Sequence, residues 1–478
     1  MGYPSDGKAA GFDSGGTSYA LIFYKEEAQQ LTKEEALIRL AEWVVQHGLE
    51  HPDSRYRAVR SLLLGAEPQI TEALRPQQDT LALAKEWARK LHNSYLLIQG
   101  APGSGKSYMA SRMIVDLIKQ GKKVGITARS YDVLMNLLEQ IWDLRKQEGL
   151  SFRVSQKVKD ATSSQKWETF HQLKQLTEHL HTSQLIAGFP LLFANLEADQ
   201  QLDYLFIDDA GQLSLVDVLT YGLSAKNVVL IGDPQHAQPS REVHPAGTEV
   251  SALAHVQQGR QTIQAARGIF LASTYRMHPD IWAFDSEQFY ARQLQADPGL
   301  EPRQLTGRSR WQGSGIRFVP VRHQGNTNVS EEEVDTIRVI VQELMGFGVR
   351  QSDSSGKVSG IGFRDIQIIA PYSEQARLLK QALQRFFVGT VDDIPDEEAA
   401  VVIYSMTSSS PEDAPGGMEF LYNANRFHLA LSRAKILFIL VGSPAAFEPR
   451  CKSPAQLKLV NPFCRFLEVV EEGSFKRV

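Results

Sequence analysis

Cysteine is scarce in this chain. Only Cys451 and Cys464 occur among 478 residues, and they do not form the Cys-x-x-Cys spacing of a metal or redox site. This scarcity argues against a disulfide scaffold, a zinc ribbon and an iron–sulfur cluster. It favours a reducing compartment, so we expect a cytoplasmic protein.

Long apolar runs and an excess of positive charge are also missing. No stretch approaches the roughly 18 apolar residues that a membrane-spanning helix needs, and no apolar signal core opens the chain. Lys and Arg number 51 against 55 Asp and Glu, which gives a net charge of −4. We expect a soluble protein, without a membrane partner, whose contacts with any polyanion are confined to a local patch.

The N-terminal residues differ from the rest in composition. Residues 1–18 are rich in Gly, Ser and Asp, and we interpret them as a disordered leader. Apolar residues then recur at three- and four-residue spacing over Lys25–His47, and another helix is predicted around Tyr56–Leu64. Residues 19–70 are therefore expected to form a helical segment that braces the first domain.

From residue 96 onward, short apolar runs alternate with helical stretches. This alternation is typical of an α/β fold with a parallel sheet covered on both faces by helices. It predicts two tandem units, residues 71–265 and 266–450, followed by a helical tail over 451–478. The apolar runs are Tyr95–Ile98, Val124–Ile126, Tyr204–Ile207, Val228–Ile231, Gly268–Leu271, Ile366–Ile369, Val401–Ile403 and Ile436–Val441.

A polar insertion rich in Lys and Gln interrupts the first unit over about residues 142–181. Two interpretations stay open: a solvated helical hairpin, or a small subdomain that touches phosphate backbones. In the second unit, Gln351–Gly360 is expected to be an exposed loop.

The strongest motif is a phosphate-binding loop, Gly-Ala-Pro-Gly-Ser-Gly-Lys-Ser, at residues 100–107. It follows a predicted strand and opens a predicted helix, which is the context that makes this pattern specific. Its glycines let backbone N–H groups turn toward phosphates at a helix N-terminus. Lys106 should reach the β and γ phosphates, and the Ser107 hydroxyl should bind Mg²⁺. The nucleotide-binding residues expected here are Gly100, Gly103, Ser104, Gly105, Lys106 and Ser107.

An acidic pair, Asp208 and Asp209, ends the next strongly apolar strand. A nucleotide-bound Mg²⁺ needs such a carboxylate beside the phosphate-binding loop. We therefore expect Asp208 to hold Mg²⁺ through water and Asp209 to orient the attacking water as a general base.

Four further motifs complete a resemblance to superfamily I helicases. The match runs from about Leu74 to Pro449 and resembles most the 5′-to-3′ group that includes the RNA helicase of nonsense-mediated decay. Within that group the chain looks like the helicase half of bacterial proteins that fuse a RecB-like nuclease to a helicase, a likeness carried by Tyr404–Phe420. The motifs are Asp209–Gln212, Gly232–Gln235, Tyr275–Pro279 and Ala430–Lys435.

The resemblance implies two RecA-like domains that bind ATP and Mg²⁺ and couple ATP hydrolysis to 5′-to-3′ movement on single-stranded DNA or RNA. It also assigns roles to single residues. Tyr275 is expected to contact the base or to pack beside it. The other assignments are Gln78 for adenine, Gln235 for sensing the γ-phosphate, Arg276 and Arg433 for stabilising its charge from the second domain, and Glu398 for the ribose hydroxyls.

Nucleic-acid contacts are implied in two loops. The loop after the second predicted strand offers hydroxyl, backbone and guanidinium groups that can hold phosphates without reading sequence. Its tyrosine would either stack on a base or pack on its own helix. The contacts implied are Thr127, Arg129 and Tyr131 in the first domain and Pro371 and Tyr372, with Gln375, in the second.

The chain departs from the helicase pattern in three places. Its acidic pair is Asp-Asp rather than Asp-Glu, and His428 replaces an asparagine. Five of the seven residues in Asp392–Glu398 are acidic where the family has a Gln-Gly turn. Because like charge weakens contacts with phosphates, we expect basal hydrolysis with poor stimulation by single strands. The rival hypothesis is therefore a degenerate helicase that acts as a nucleotide-gated clamp or as a scaffold for a separate nuclease.

Overall fold

The computed structural model describes residues 16–73, 79–158, 166–236, 250–346, 348–393 and 397–472. The α-helices in these ranges are α1 (Gly16–His47), α2 (Arg57–Leu63), α3 (Thr80–Lys90), α4 (Lys106–Lys119), α5 (Tyr131–Gln147), α6 (Leu176–Thr182), α7 (Leu215–Gly222), α8 (Ala252–Gln257), α9 (Pro279–Phe289), α10 (Glu331–Met345), α11 (Ser373–Ala382), α12 (Gly417–Leu421), α13 (Ala424–Leu431) and α14 (Pro454–Glu471).

The strands in the same ranges are β1 (Tyr95–Gly100), β2 (Val124–Ala128), β3 (Val154–Lys157), β4 (Glu168–Phe170), β5 (Leu185–Ala187), β6 (Leu202–Asp208), β7 (Ala225–Gly232), β8 (Gly268–Leu271), β9 (Ser273–Thr274), β10 (Gln295–Ala296), β11 (Leu305–Thr306), β12 (Gly315–Pro320), β13 (Arg350–Ser352), β14 (Val358–Gly360), β15 (Ile366–Ala370), β16 (Phe387–Thr390), β17 (Ala399–Ser405) and β18 (Ala434–Gly442).

One large sheet has the strand order β4-β3-β5-β2-β6-β7-β1-β8, and its neighbouring strands run parallel. Parallel neighbours need crossover connections, so helices cover both faces and the central strands are buried on both sides. Helices α3, α4 and α5 pack on one face, and α1, α2, α7 and α8 pack on the other. We call this unit the first lobe.

A second parallel sheet has the order β12-β18-β17-β15-β16. Helices α10 and α11 cover one face, whereas α9, α12, α13 and α14 cover the other. We call this unit the second lobe. The predicted fold class, two tandem α/β units with parallel sheets, is confirmed, and the predicted apolar runs all lie within strands.

The boundary between the lobes differs from the predicted one. Strand β8 pairs in parallel with β1, so Gly268–Leu271 completes the first sheet. The sequence pattern had assigned it to a second unit that begins at residue 266. Periodicity marks a strand as buried but does not say which sheet it joins, which explains the error.

The insertion over residues 142–181 is neither a helical hairpin nor a separate subdomain in its described part. Helix α5 extends to Gln147, and β3 and β4 then add two parallel strands to the edge of the first sheet. The expected loop over residues 351–360 is also wrong, since β13 and β14 pair there as an antiparallel hairpin.

The N-terminal helix packs on the first lobe, as the sequence predicted. Trp43 of α1 is buried, and the guanidinium of Arg60 lies 4.2 Å from the centre of its ring. Lys33 forms an ion pair of 2.8 Å with Asp217 on α7. Aromatic burial together with these charge contacts fixes the helix against the lobe.

Candidate active site between the two lobes

The phosphate-binding loop joins β1 to α4 at the carboxyl edge of the first sheet. Gly105 precedes α4 in the left-handed conformation, and Gly103 has φ 73°. A Cβ atom placed on Gly103 would lie 2.3 Å from Cβ of Arg276, and Tyr275 N–H donates to Gly103 O at 2.9 Å. Glycine is therefore required both by the turn and by the close approach of the second lobe.

Lys106 and Ser107 are the first two residues of α4, directly after the glycines of this loop. The Lys106 ammonium donates to Gly100 O at 2.9 Å and to Ala101 O at 3.1 Å. The Ser107 hydroxyl donates to Oδ2 of Asp208 at 3.3 Å. The predicted loop lysine, loop hydroxyl and strand-end carboxylate are thus brought together.

The Asp208 carboxyl is fully enclosed at the end of β6 and accepts a hydrogen bond of 2.9 Å from Asp209 N–H. Burial and the charge of Asp209 raise its pKa to about 7, although the Lys106 ammonium opposes the rise. Asp209 has φ 53°, a left-handed conformation that costs free energy for a residue with a side chain. The hydroxyl and carboxylate oxygens suit Mg²⁺, which prefers oxygen ligands and keeps several waters.

Replacing Asp208 by asparagine is expected to raise the melting temperature of the nucleotide-free protein by about 1–3 °C at about pH 8. The amide can accept from Asp209 N–H without a buried charge. Because the pKa of Asp208 is raised on folding, its carboxylate costs stability at high pH, and this cost disappears as pH falls toward the unfolded value.

Thermal melts at about pH 8 and about pH 5 would measure this effect, with the gain from Asp208→Asn shrinking at the lower pH. Asp335→Asn, on the exposed side of α10, is the control and should give no such gain. A destabilised Asp208→Asn protein at the higher pH would contradict the expectation.

The turn after β7 carries the predicted phosphate sensor. Asp233 is buried, and its Oδ1 accepts a hydrogen bond of 3.0 Å from the backbone N–H of Gln235. Gly211 lies so close that an added Cβ would be 2.1 Å from Asp233 O. Since β6, β7 and β1 are neighbours in the sheet, this turn, the acidic pair and the phosphate-binding loop share one edge.

The second lobe brings Arg276 to the same edge. Nε of Arg276 lies 2.6 Å from Oε1 of Glu398. Arg433 is buried, and its carbonyl accepts from Ala399 N–H at 3.1 Å, so its backbone lies beside that of Glu398. Glu398, predicted for the ribose hydroxyls, thus binds Arg276 in this structure.

The predicted nucleic-acid contacts divide into two groups. Arg129 is exposed and donates to Gln212 O at 3.4 Å, and the Tyr131 ring is 48% exposed with its centre 6.2 Å from that of Phe189. Both side chains are accessible from solvent. The Thr127 hydroxyl, by contrast, is buried, so the structure does not support a direct contact from it.

The predicted contacts of the second lobe are also buried. The Tyr372 ring stacks on Phe420 at 4.9 Å, and its hydroxyl donates to Pro415 O at 3.3 Å. Gln375 is fully buried, and Pro371 is buried as well. These side chains shape the edge of the second lobe rather than face a ligand. The sequence spacing predicted the loop between β15 and α11 correctly. It could not predict that the side chains there point into the protein and not toward solvent.

Two predicted features lie partly outside the described residues. Gln78 is not described, nor are residues 394–396 of the acidic run. Within that run Asp392 accepts from Arg426 at 3.1 Å, and Asp393 accepts from the Thr390 hydroxyl at 2.7 Å.

The sequence missed the role of a buried polar chain that links the lobes. It runs from Asp285 through His428 and Tyr290, all of the second lobe, to Asp233 of the first lobe. The only sequence signal was His428 in place of the asparagine of the helicase pattern. No spacing rule pairs residues that are 143 positions apart.

Parts of the chain are similar to known proteins. Residues 249–445, at the end of the first lobe and through most of the second, match the protein family described as an AAA domain. The chain is 25% identical over 403 residues to the DNA replication ATP-dependent helicase/nuclease dna2 of Schizosaccharomyces pombe, which covers 79% of this chain and 28% of that protein. It is 26% identical over 471 residues to the Regulator of nonsense transcripts 1 homolog of Drosophila melanogaster. This alignment covers 87% of this chain and 38% of that protein.

The chain is thus similar over part of its length to an AAA domain, and over most of its length to a helicase/nuclease and to a regulator of nonsense transcripts. The chain spans between 28% and 38% of the length of these two relatives. A solved structure of Arterivirus nonstructural protein 10 (helicase) with DNA is 14% identical, with a TM-score of 0.42 over 81% of this chain and 68% of that one. Among the described residues, no helix is both long enough and apolar enough to span a membrane.

Proposed function

We propose that this protein is an ATP-dependent helicase or translocase that moves 5′ to 3′ on single-stranded DNA or RNA. One observation carries the proposal: the second-lobe residues Tyr275 and Arg276 pack directly on the phosphate-binding loop of the first lobe. A nucleotide held by that loop therefore contacts both lobes. Movement on a strand requires this dependence of lobe closure on nucleotide.

The residues divide the work of ATP hydrolysis between the lobes. Ser107 and Asp208 would hold Mg²⁺, which neutralises phosphate charge when bound. Lys106 binds the β and γ phosphates, and Asp209 orients the attacking water. Guanidinium groups from the second lobe stabilise the charge that spreads over the transferred phosphoryl oxygens.

The strand would lie across the exposed side chains of Arg129 and Tyr131. A guanidinium holds phosphates, and an exposed tyrosine ring offers a stacking surface for any base. Neither group distinguishes DNA from RNA. The buried side chains of the second lobe leave backbone groups at its edge as the complementary contacts.

The acidic residues beside β16 favour a second candidate. Asp392 is engaged by Arg426, yet the run remains strongly negative where a strand would approach. A nucleotide-gated clamp, or a scaffold for a separate nuclease, would tolerate this charge better than a motor does. The Tyr404–Phe420 likeness to nuclease-linked helicases supports the same kind of partner.

Strand displacement separates the two candidates. Duplexes with a 5′ or a 3′ single-stranded tail, in DNA and in RNA, would be mixed with the protein, ATP and Mg²⁺. The helicase predicts displacement on the 5′-tailed duplex only, with ATP hydrolysis that rises modestly with added strand. Nucleotide-dependent strand binding without displacement would support the clamp, and displacement from a 3′ tail would contradict the proposed polarity.

A further inference from the structure

A buried chain of hydrogen bonds connects α13 to the phosphate-sensor turn of the other lobe. The His428 ring is inaccessible to solvent, and its Nδ1 lies 2.7 Å from Oδ1 of Asp285 on α9. Its Nε2 lies 2.9 Å from the hydroxyl of Tyr290, directly after α9. That hydroxyl donates to Oδ2 of Asp233, whose other oxygen accepts from Gln235 N–H at 3.0 Å.

The number of available protons fixes the direction of these bonds. A tyrosine hydroxyl has one hydrogen, and here it is given to Asp233. The oxygen of Tyr290 can then only accept from Nε2–H of His428, while Nδ1–H donates to Asp285. With Asp285 and Asp233 both ionised, both ring nitrogens carry hydrogen, which makes His428 an imidazolium.

A neutral His428 could not keep all of these hydrogen bonds in the same direction. With Nδ1–H kept on Asp285, its bare Nε2 would compete with Asp233 for the single hydrogen of Tyr290. Asp233 would then lose its bond to the second lobe, although it would still hold Gln235 N–H. The proton on His428 thus decides whether the hydrogen bond between Tyr290 and the sensor turn is kept.

Charge at the site favours the protonated ring. Asp285 from α9 and Asp233 from the turn after β7 both face His428, with Tyr290 between them and the Phe289 ring at 4.5 Å. Burial alone lowers the pKa of His428, but the charge of Asp285, the hydrogen bond to it and the nearby charge of Asp233 raise the pKa to about 9. The raised pKa means that the stabilisation is complete below the unfolded value and is lost as pH rises through about 9.

We propose that His428, as an imidazolium, is a positioning residue that attaches the Asp233–Gln235 turn to the second lobe through Tyr290. It does not touch the nucleotide. It holds the sensor turn in register with Arg433, which follows the same helix α13 by two residues. This inference rests on the ATP hydrolysis proposed above and adds a pH dependence that the asparagine of the helicase pattern would not provide.

The test compares His428→Asn and Tyr290→Phe with the unchanged protein across the alkaline range. The unchanged protein should lose kcat as pH passes about 9, while KM for ATP changes little. Each variant should have a kcat lower by about tenfold at neutral pH and no alkaline fall. His255→Asn, a partly buried histidine elsewhere in the first lobe, is the control and should keep the original profile.

Two measurements on the nucleotide-free protein do not depend on activity. Carbon-13 labelled histidine should show a signal that titrates near pH 9 and is absent from His428→Asn. Hydrogen exchange of the β7–Gln235 peptide should be faster in Tyr290→Phe, which removes the link but keeps the histidine. The inference would be overturned if the signal that His428→Asn removes titrated near the ordinary value of histidine. Unchanged hydrogen exchange in Tyr290→Phe would also overturn it. Both outcomes can be read even if the protein hydrolyses no ATP.

Discussion

Lys106→Ala is expected to reduce Mg²⁺-dependent ATP hydrolysis to the background rate. The lysine is the cation that the phosphate-binding loop directs at the β and γ phosphates, and its ammonium already lies against two loop carbonyls. Removing it deletes a charge-assisted contact that strengthens as the phosphoryl group leaves. Steady-state phosphate release at saturating ATP measures the loss.

Lys119→Ala is the matched control for this substitution. Lys119 lies at the other end of the same helix, α4, and pairs with Glu148 on the surface. Its loss should leave hydrolysis unchanged. Substantial hydrolysis by Lys106→Ala, with a melting temperature like that of the unchanged protein, would show that the nucleotide site lies elsewhere.

Arg433→Ala should lower kcat by about a thousandfold while the affinity for ATP changes far less. Its guanidinium is expected to act on charge that develops only in the transition state, so its removal affects the rate more than binding. Arg433→Lys keeps the charge but loses the planar fork of donors, and an intermediate rate is expected.

Single-turnover hydrolysis and binding of a fluorescent nucleotide separate the two effects. Arg338→Ala, on the exposed face of α10 in the same lobe, is the control. Equal losses of affinity and rate in Arg433→Ala would mean that the arginine binds the ground state. No loss in either would remove it from the site.

The sequence is sufficient to place Lys106, Ser107 and Asp208 together, because short segments decide their local structure. Gly100–Ser107 specifies a turn and a helix start within eight residues, and Asp208 follows a run of apolar residues that can only be a buried strand. Parallel strands end at one edge, so residues at neighbouring strand ends meet.

Prediction from the sequence failed where the orientation of a side chain, or a partner far away in the chain, decides what a residue contacts. Thr127 lies in β2, Tyr372 directly precedes α11 and Gln375 lies within α11, and the side chains of all three are buried in the protein. The carbonyl of Pro415, which accepts from the Tyr372 hydroxyl, comes from 43 residues later in the chain. His428 was visible as an unusual residue, yet its partners could be known only from the fold.

The ion pair between Arg276 and Glu398 has a consequence for how tightly nucleotide is held. The guanidinium already has an anionic neighbour 2.6 Å away before any triphosphate arrives. A phosphate that binds this guanidinium would share the cation with Glu398, so the net gain would be smaller than an uncompensated arginine would give. We therefore expect Glu398 to act against tight binding, and the affinity for nucleotide to be lower than an arginine without this carboxylate would give.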